Sequence, residues 1–404
     1  MRNGWLIASS LVCAIVSMAS AAVAEAQYGP GTSATEVAIG NIVPYSGPLA
    51  IISTIGKTQS AFFRMLNEQG GVNGRKIKFV SYDDAYSPQK TVEQARRLVE
   101  GDEVSMIFAS AGTATNAAIM TYLNSKRVPQ LFLSSGNSKF NDPQRFPWTM
   151  AWFPQSEMEG RLYAKYILET NPAARIAVLY QKDDFGKDML KGLKEGLGPR
   201  ADMIVAEAGY DPTDPTVDSQ IATLKLSGAD AFMNFATPRT AAQAIRRIVE
   251  MGWKPSINVL AFASISVGGV LKPAGLENSI GVVSSNFMKD PTDPAWDDDP
   301  GVRKWKKFMA DYYPEADMNN AFFTSYAYSV AQSLVQVLKQ CGDNLTRENI
   351  MEQARNLKNA DYDLLLPGIA VTTGPTDYSP IKQMKMMRFD GTRWTYFGFV
   401  TGTN

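Results

Sequence analysis

The chain has 404 residues, 45% hydrophobic and 20% charged, the balance of a folded protein with a sizeable core and room for two or three domains. Lysine plus arginine and aspartate plus glutamate are equal at 40 each, which argues against a nucleic-acid partner or a polybasic membrane-surface patch. There is no histidine, so Ser-His-Asp and Cys-His catalysis are excluded and the commonest general base and metal ligand is missing.

In chain order, Arg2 precedes an apolar stretch from Trp5 to Val23 that ends in the small-x-small triplet Ala24-Glu25-Ala26. This is the pattern of a secretory signal peptide over residues 1–26, with cleavage expected after Ala26. Leu11-Val12 before Cys13 lack the small residue that a lipoprotein site wants. Cleavage leaves Cys341 alone, so no intrachain disulfide is expected, which suits a periplasmic protein stable on its core. Residues 27–34, rich in Gly, Pro, Ser and Thr, read as a flexible lead. No later segment is apolar for long enough to span a bilayer, so no membrane insertion is expected after cleavage.

Residues 37–40 read as a strand. Residues 57–69 carry Ala61, Phe62, Met65 and Leu66 at helical spacing, and Gly70-Gly71 ends that helix. Strands at 77–82, 104–109 and 130–133 then alternate with helices at 89–99 and 116–123. Short βαβα connections predict a parallel sheet flanked by helices. The pattern restarts with a helix at 159–169, a strand at 175–180 and a helix at 187–196. It continues through 203–209, 220–226, 231–235, 240–251 and 258–261. A surface loop spans 290–300, and helices follow at 303–311 and 321–340. Residues 384–389 and 394–400 flank Asp390-Gly391, a hairpin with its turn marked. The predicted class is α/β, with two parallel-sheet lobes.

Four features occur in order along this frame. Ser46-Gly47-Pro48 follows the first strand, and Asn67-Glu68-Gln69-Gly70-Gly71-Val72-Asn73-Gly74-Arg75-Lys76 ends the first helix. Tyr82-Asp83-Asp84 closes the second strand, and Ala164-Lys165-Tyr166-Ile167-Leu168-Glu169 opens the second half. Together they make the chain resemble a type I periplasmic solute-binding protein of the branched-chain amino acid-type ABC transporter receptor family. The resemblance implies two doubly wound lobes joined by three hinge crossovers, near Ala151-Trp152, Ser284-Ser285 and Thr376-Asp377. Residues 35–151 plus 285–376 would form the first lobe, and 152–284 plus 377–404 the second. It also implies a monomer without cofactor or metal that closes around a small solute and docks on the permease subunits of an importer.

Ligands of open α/β sheets sit beyond the carboxyl ends of the strands. The loops there are Ser110 to Thr115, leading into a helix, and Ser134 to Ser138. On their own they read as N-cap and turn chemistry. The resemblance implies that Gly112, Thr113, Ala114, Thr115, Ser135, Gly136 and Asn137 hold a ligand carboxylate. It puts Phe185 against the ligand's apolar part and Thr237 in a loop where the family has an aromatic residue. Where the family has an acid to pair an ammonium group, this chain has Ala261-Phe262-Ala263-Ser264-Ile265, so Phe262 and Ala263 face the ligand instead. Phe185 and Phe262, with Tyr45 or Ile55, are expected to pack on an aromatic or branched 2-oxo acid. The alternative is an amino acid whose ammonium pairs with Asp183 or Asp184.

Other patterns have plainer readings. Asp83-Asp84 is a strand end before a helix start, and Asp211, Asp214 and Asp218 lack the glycine and glutamate of a calcium loop. Met384, Met386 and Met387 read as strand core. The expected role is therefore a transport receptor that catalyses nothing, with a sensory ligand-binding subunit as the alternative and a carboxylate enzyme as a third reading.

Overall fold

The computed structural model describes residues 26–402, so the leader before Ala26 falls outside the described residues. The stretch that follows is not a loose lead. β1 (Gln27–Tyr28) pairs in parallel with Asn344 and Leu345. Gly31 accepts a backbone bond from Ala38 at 2.7 Å. Gly31 has φ +71, and a Cβ there would sit 2.4 Å from the Ser105 nitrogen, so only glycine lets the lead lie this close. Composition suggested flexibility because it reports polarity, not where backbone groups find partners.

The first lobe follows as β2 (Glu36–Val43), α1 (Thr54–Glu68), β3 (Lys76–Asp83), α2 (Pro88–Arg96), β4 (Met106–Phe108), α3 (Thr113–Ser125), β5 (Gln130–Leu133) and β6 (Thr149–Ala151). β2 to β6 make one parallel sheet in the order β3-β2-β4-β5-β6. The inner strand β2 is buried from Val37 to Val43, because helices cover both faces of a parallel sheet.

The second lobe takes α4 (Ser156–Thr170), β7 (Ile176–Gln181), α5 (Asp184–Leu197), β8 (Ile204–Tyr210), α6 (Asp218–Leu226), β9 (Ala231–Phe235), α7 (Pro238–Glu250), β10 (Ile257–Leu260), the one-turn α8 (Lys272–Ala274) and β11 (Val283–Asn286). The chain then returns to the first lobe with α9 (Pro300–Tyr312), α10 (Ala321–Cys341), β12 (Asn344–Leu345) and α11 (Arg347–Ala354). α10 lies against α1, where the Phe62 and Tyr328 rings meet edge to face at 5.4 Å. Finally β13 (Gln383–Phe389) and β14 (Trp394–Gly402) add an antiparallel edge to the second sheet, whose order is β14-β13-β11-β10-β9-β7-β8. Their turn is held by Asp390, whose Oδ1 accepts from the Thr392 and Arg393 nitrogens, with Gly391 at φ +107.

Three chain passages link the sheets, and two lie later than expected. Ser284 and Ser285 are paired to Met387 and Met386 inside β11, so the second passage comes after Asn286. The Tyr378 nitrogen still donates to Asn141 Oδ1, and its hydroxyl donates to the Pro147 carbonyl. Thr372 likewise donates to the Pro380 carbonyl, so the third passage follows Pro380. Aromatic rings fill the junction. Phe153 lies 4.5 Å from Tyr326 and 5.0 Å from Phe262, and Trp152 lies 5.7 Å from Phe287.

Candidate functional site

Between the lobes lies a cavity of about 80 Å³. Its first-lobe wall begins with Leu49, Ile52 and Ile55, at the entry to α1. Tyr86, from the loop after β3, and Gly112-Thr113, at the start of α3, continue it. Ser134, Ser135 and Gly136 complete that side. The second lobe supplies Phe153, Ser156, Phe185, Thr237-Pro238 and Phe262-Ala263, and α10 adds Phe322 and Phe323. Among the described residues, no Asp, Glu, Lys or Arg lines it.

The polar end is built by the loops after β4 and β5. Thr113 Oγ1 and Ser135 Oγ share a hydrogen bond of 2.7 Å, and the Asn137 nitrogen donates to Ser135 Oγ at 3.3 Å. α3 starts at Thr113 without any side-chain cap, so its first N–H groups point toward this end. That is a seat for an anionic oxygen. Gly112 has φ +99, and a Cβ there would meet Thr115 Oγ1 and the Tyr86 ring, both at 2.5 Å. Gly136 accepts a bond from the Ser156 nitrogen at 2.7 Å, and its own Cβ would lie 2.2 Å from the Pro154 carbonyl. Glycine at both positions lets the walls close.

The Asp83-Asp84 pair scaffolds Tyr86. Asp83 Oδ1 accepts from the Tyr45, Ser46 and Ala85 nitrogens. Asp84 accepts from the Tyr86 nitrogen and the Thr91 hydroxyl. Burial raises the Asp84 pKa, whereas for Asp83 burial is outweighed by the Ser46 hydroxyl and backbone donors, and its pKa falls. These bonds hold Ala85 and Tyr86 in left-handed conformations, φ 51 and 59, and such strain concentrates at functional loops.

On the other wall, Glu159 of α4 is fully buried. Its Oε1 accepts from the Phe262 nitrogen at 2.7 Å and the Tyr163 hydroxyl at 2.6 Å, while Oε2 has no partner. Burial pushes this carboxyl up to about 7. Thr237 donates its hydroxyl to Gln181 Oε1 and its nitrogen to the Tyr210 oxygen.

The expected ligand residues divide in two. Gly112, Thr113, Ser135, Gly136, Phe185, Thr237, Phe262 and Ala263 line one cavity, and Ile55 joins them. Ala114, Thr115 and Asn137 stand off the lining. Thr115 turns inward on α3 and donates to the Ala111 carbonyl at 2.6 Å. Asn137 instead reaches across the lobes, donating to the Asp184 carbonyl at 2.9 Å and to Asp188 Oδ2 at 2.6 Å. The Ser138 nitrogen donates to the same Asp188 oxygen at 2.7 Å, and Lys139 pairs with Asp184. Tyr45 is also off the lining, bonded to Ser81 at 2.7 Å. Asp183 is committed as well: Oδ1 caps the Phe185 and Gly186 nitrogens, and Oδ2 accepts from Gln181 at 2.6 Å. Neither Asp183 nor Asp184 lines the cavity. Sequence reasoning passed over Tyr86, Phe153, Phe322 and Phe323, whose patterns read as loop or core.

Residues 36–393 match the model of a family described as periplasmic binding protein. A Leu/Ile/Val-binding protein homolog of Brucella suis biovar 1 is 23% identical over 320 residues, 79% of this chain and 82% of that protein. Among solved structures, a branched chain amino acid ABC transporter protein from Thermus thermophilus with bound valine superimposes with TM-score 0.81 at 14% identity, covering 91% of this chain and 97% of that one. A fatty acid ABC transporter substrate-binding protein from Thermomonospora curvata gives 0.77 at 20% identity, covering 94% and 95%. With two doubly wound lobes, a cavity between them and a family match over nearly all of the described chain, this protein belongs to the periplasmic binding protein family and has its type I fold.

Proposed function

We propose that this receptor captures a small hydrophobic carboxylate without an α-ammonium group, an aromatic acid or a branched 2-oxo acid, and delivers it to the permease subunits of an ABC importer. The observation that carries this reading is the asymmetry of the cavity. One end offers hydroxyls and uncapped helix N–H groups, and the rest is aromatic and aliphatic. The two aspartates that could pair with an ammonium are engaged elsewhere. Enclosing an ammonium without a counter-charge costs several kcal/mol, about two or more orders of magnitude in affinity. The role is binding and closure, with no turnover of the ligand. We place it in the periplasm, released by cleavage after Ala26, and among the described residues no helix is long and apolar enough to cross a membrane.

The second reading is the same receptor with a branched-chain amino acid, favoured by what the Brucella and Thermus proteins are named for. Isothermal titration of the purified protein with phenylacetate, 4-methyl-2-oxopentanoate and leucine separates the two. The acids are expected to bind at least about 100-fold more tightly than leucine. Tight leucine binding overturns the first reading in favour of the second.

A further inference from the structure

Phe322 lines a second hollow as well as the ligand cavity, and among the described residues it is the one common to both linings. The second hollow measures about 290 Å³ and lies where residues 288–292, the start of α10 and the β13–β14 hairpin meet. Met288, Met387 and Trp394 give it apolar walls. Its cations are already engaged, Lys289 with Asp299 at 2.8 Å and Arg393 with Asp293 at 2.9 Å. One polar group there is not: Ser325 lines the hollow and its hydroxyl is buried without a partner. A buried hydroxyl of that kind is a place for a ligand atom or water to bond. The Phe322 ring stands edge to face with Phe262 at 6.2 Å and with Phe323 at 5.2 Å, on the boundary between the two spaces.

We infer that Phe322 partitions one extended binding site and so sets the length of acid this receptor accepts. With the ring as it stands, the cavity of about 80 Å³ admits a short acid. Turning or truncating the ring joins it to the larger chamber, which then takes the distal part of a longer carboxylate. This inference rests on the carboxylate reading.

The test is calorimetric titration of the mature protein with straight-chain monocarboxylates from butanoate to decanoate. Wild type should bind the short members best. Phe322→Ala should move the optimum to longer chains by two or more carbons and raise the decanoate-to-butanoate affinity ratio at least ten-fold. Phe322→Leu, which keeps apolar bulk in the helix, should shift the optimum the same way by less, and it carries the comparison if the alanine variant gives no cooperative melt. An unchanged optimum in variants that still bind short acids overturns the partition while leaving the carboxylate reading in place. Failure of every acid to bind wild type overturns both.

Discussion

At the residue scale, a glycine on the cavity lining and a buried carboxyl behind the same wall each carry a measurable consequence. Gly112 combines φ +99 with contacts that leave no room for a Cβ. Gly112→Ala forces either Tyr86 or the start of α3 to move, with a cost of about 1–3 kcal/mol for the left-handed backbone alone. The expected result is a lower melting temperature and ligand affinity reduced at least ten-fold, read by thermal denaturation and calorimetry. Glu159 yields a pH signature. Its pKa rises from 4.5 to about 7 on folding because burial disfavours the charge. The folded state therefore holds an extra proton between those values. This contribution to stability is full below pH 4.5 and is lost as pH rises through 7, to the extent of about 3 kcal/mol. Glu159→Gln cannot titrate, so urea melts should show wild type losing stability relative to the variant from pH 5 to 8. A constant difference across that range would contradict the assignment.

At the element scale, the first two turns of α5 do two jobs. Phe185 faces the cavity, and one turn on, Asp188 receives Asn137 and Ser138 from the other lobe. These bonds exist only when the lobes meet. Asp188→Ala therefore removes charge-assisted bonds from the closed form, while in the open form water satisfies the same groups. Bonds of this type contribute about 1.5–3 kcal/mol, so affinity should fall roughly 10- to 100-fold. The ligand-free melting temperature should change little. An equal loss in ligand-free stability would mean that the clasp is ordinary packing. The sequence made much of this region legible. The helices and strands follow apolar periodicity, and the glycines at 112 and 136 stand at strand ends. The clasp was not legible, because Asn137 and Asp188 stand on different lobes and nothing in either local segment announces the other. Thr115 was misplaced for a similar reason: the loop composition does not say which way α3 turns its third residue.

At the scale of the whole molecule, the alternation of apolar runs was enough to foresee two parallel-sheet lobes, and the family resemblance implied their doubly wound form. The passages between them were harder, since Ser284 and Ser285 look like a polar linker yet lie paired inside β11, covered by Met384 and Tyr163. Phe322 and Phe323 were concealed in the same manner, as apolar positions on a long helix whose neighbours are core. The lead before β2 was concealed by polarity. Its seam with β12 carries a consequence for the order of assembly. Thr32 donates its hydroxyl to the Leu345 carbonyl, 313 residues away in sequence. Contacts so distant along the chain form slowly, after most of the loop between them has been ordered. The lead can therefore dock on β2 early through Ala38, while its seam with β12 is expected to close late, once the chain out to Leu345 is in place.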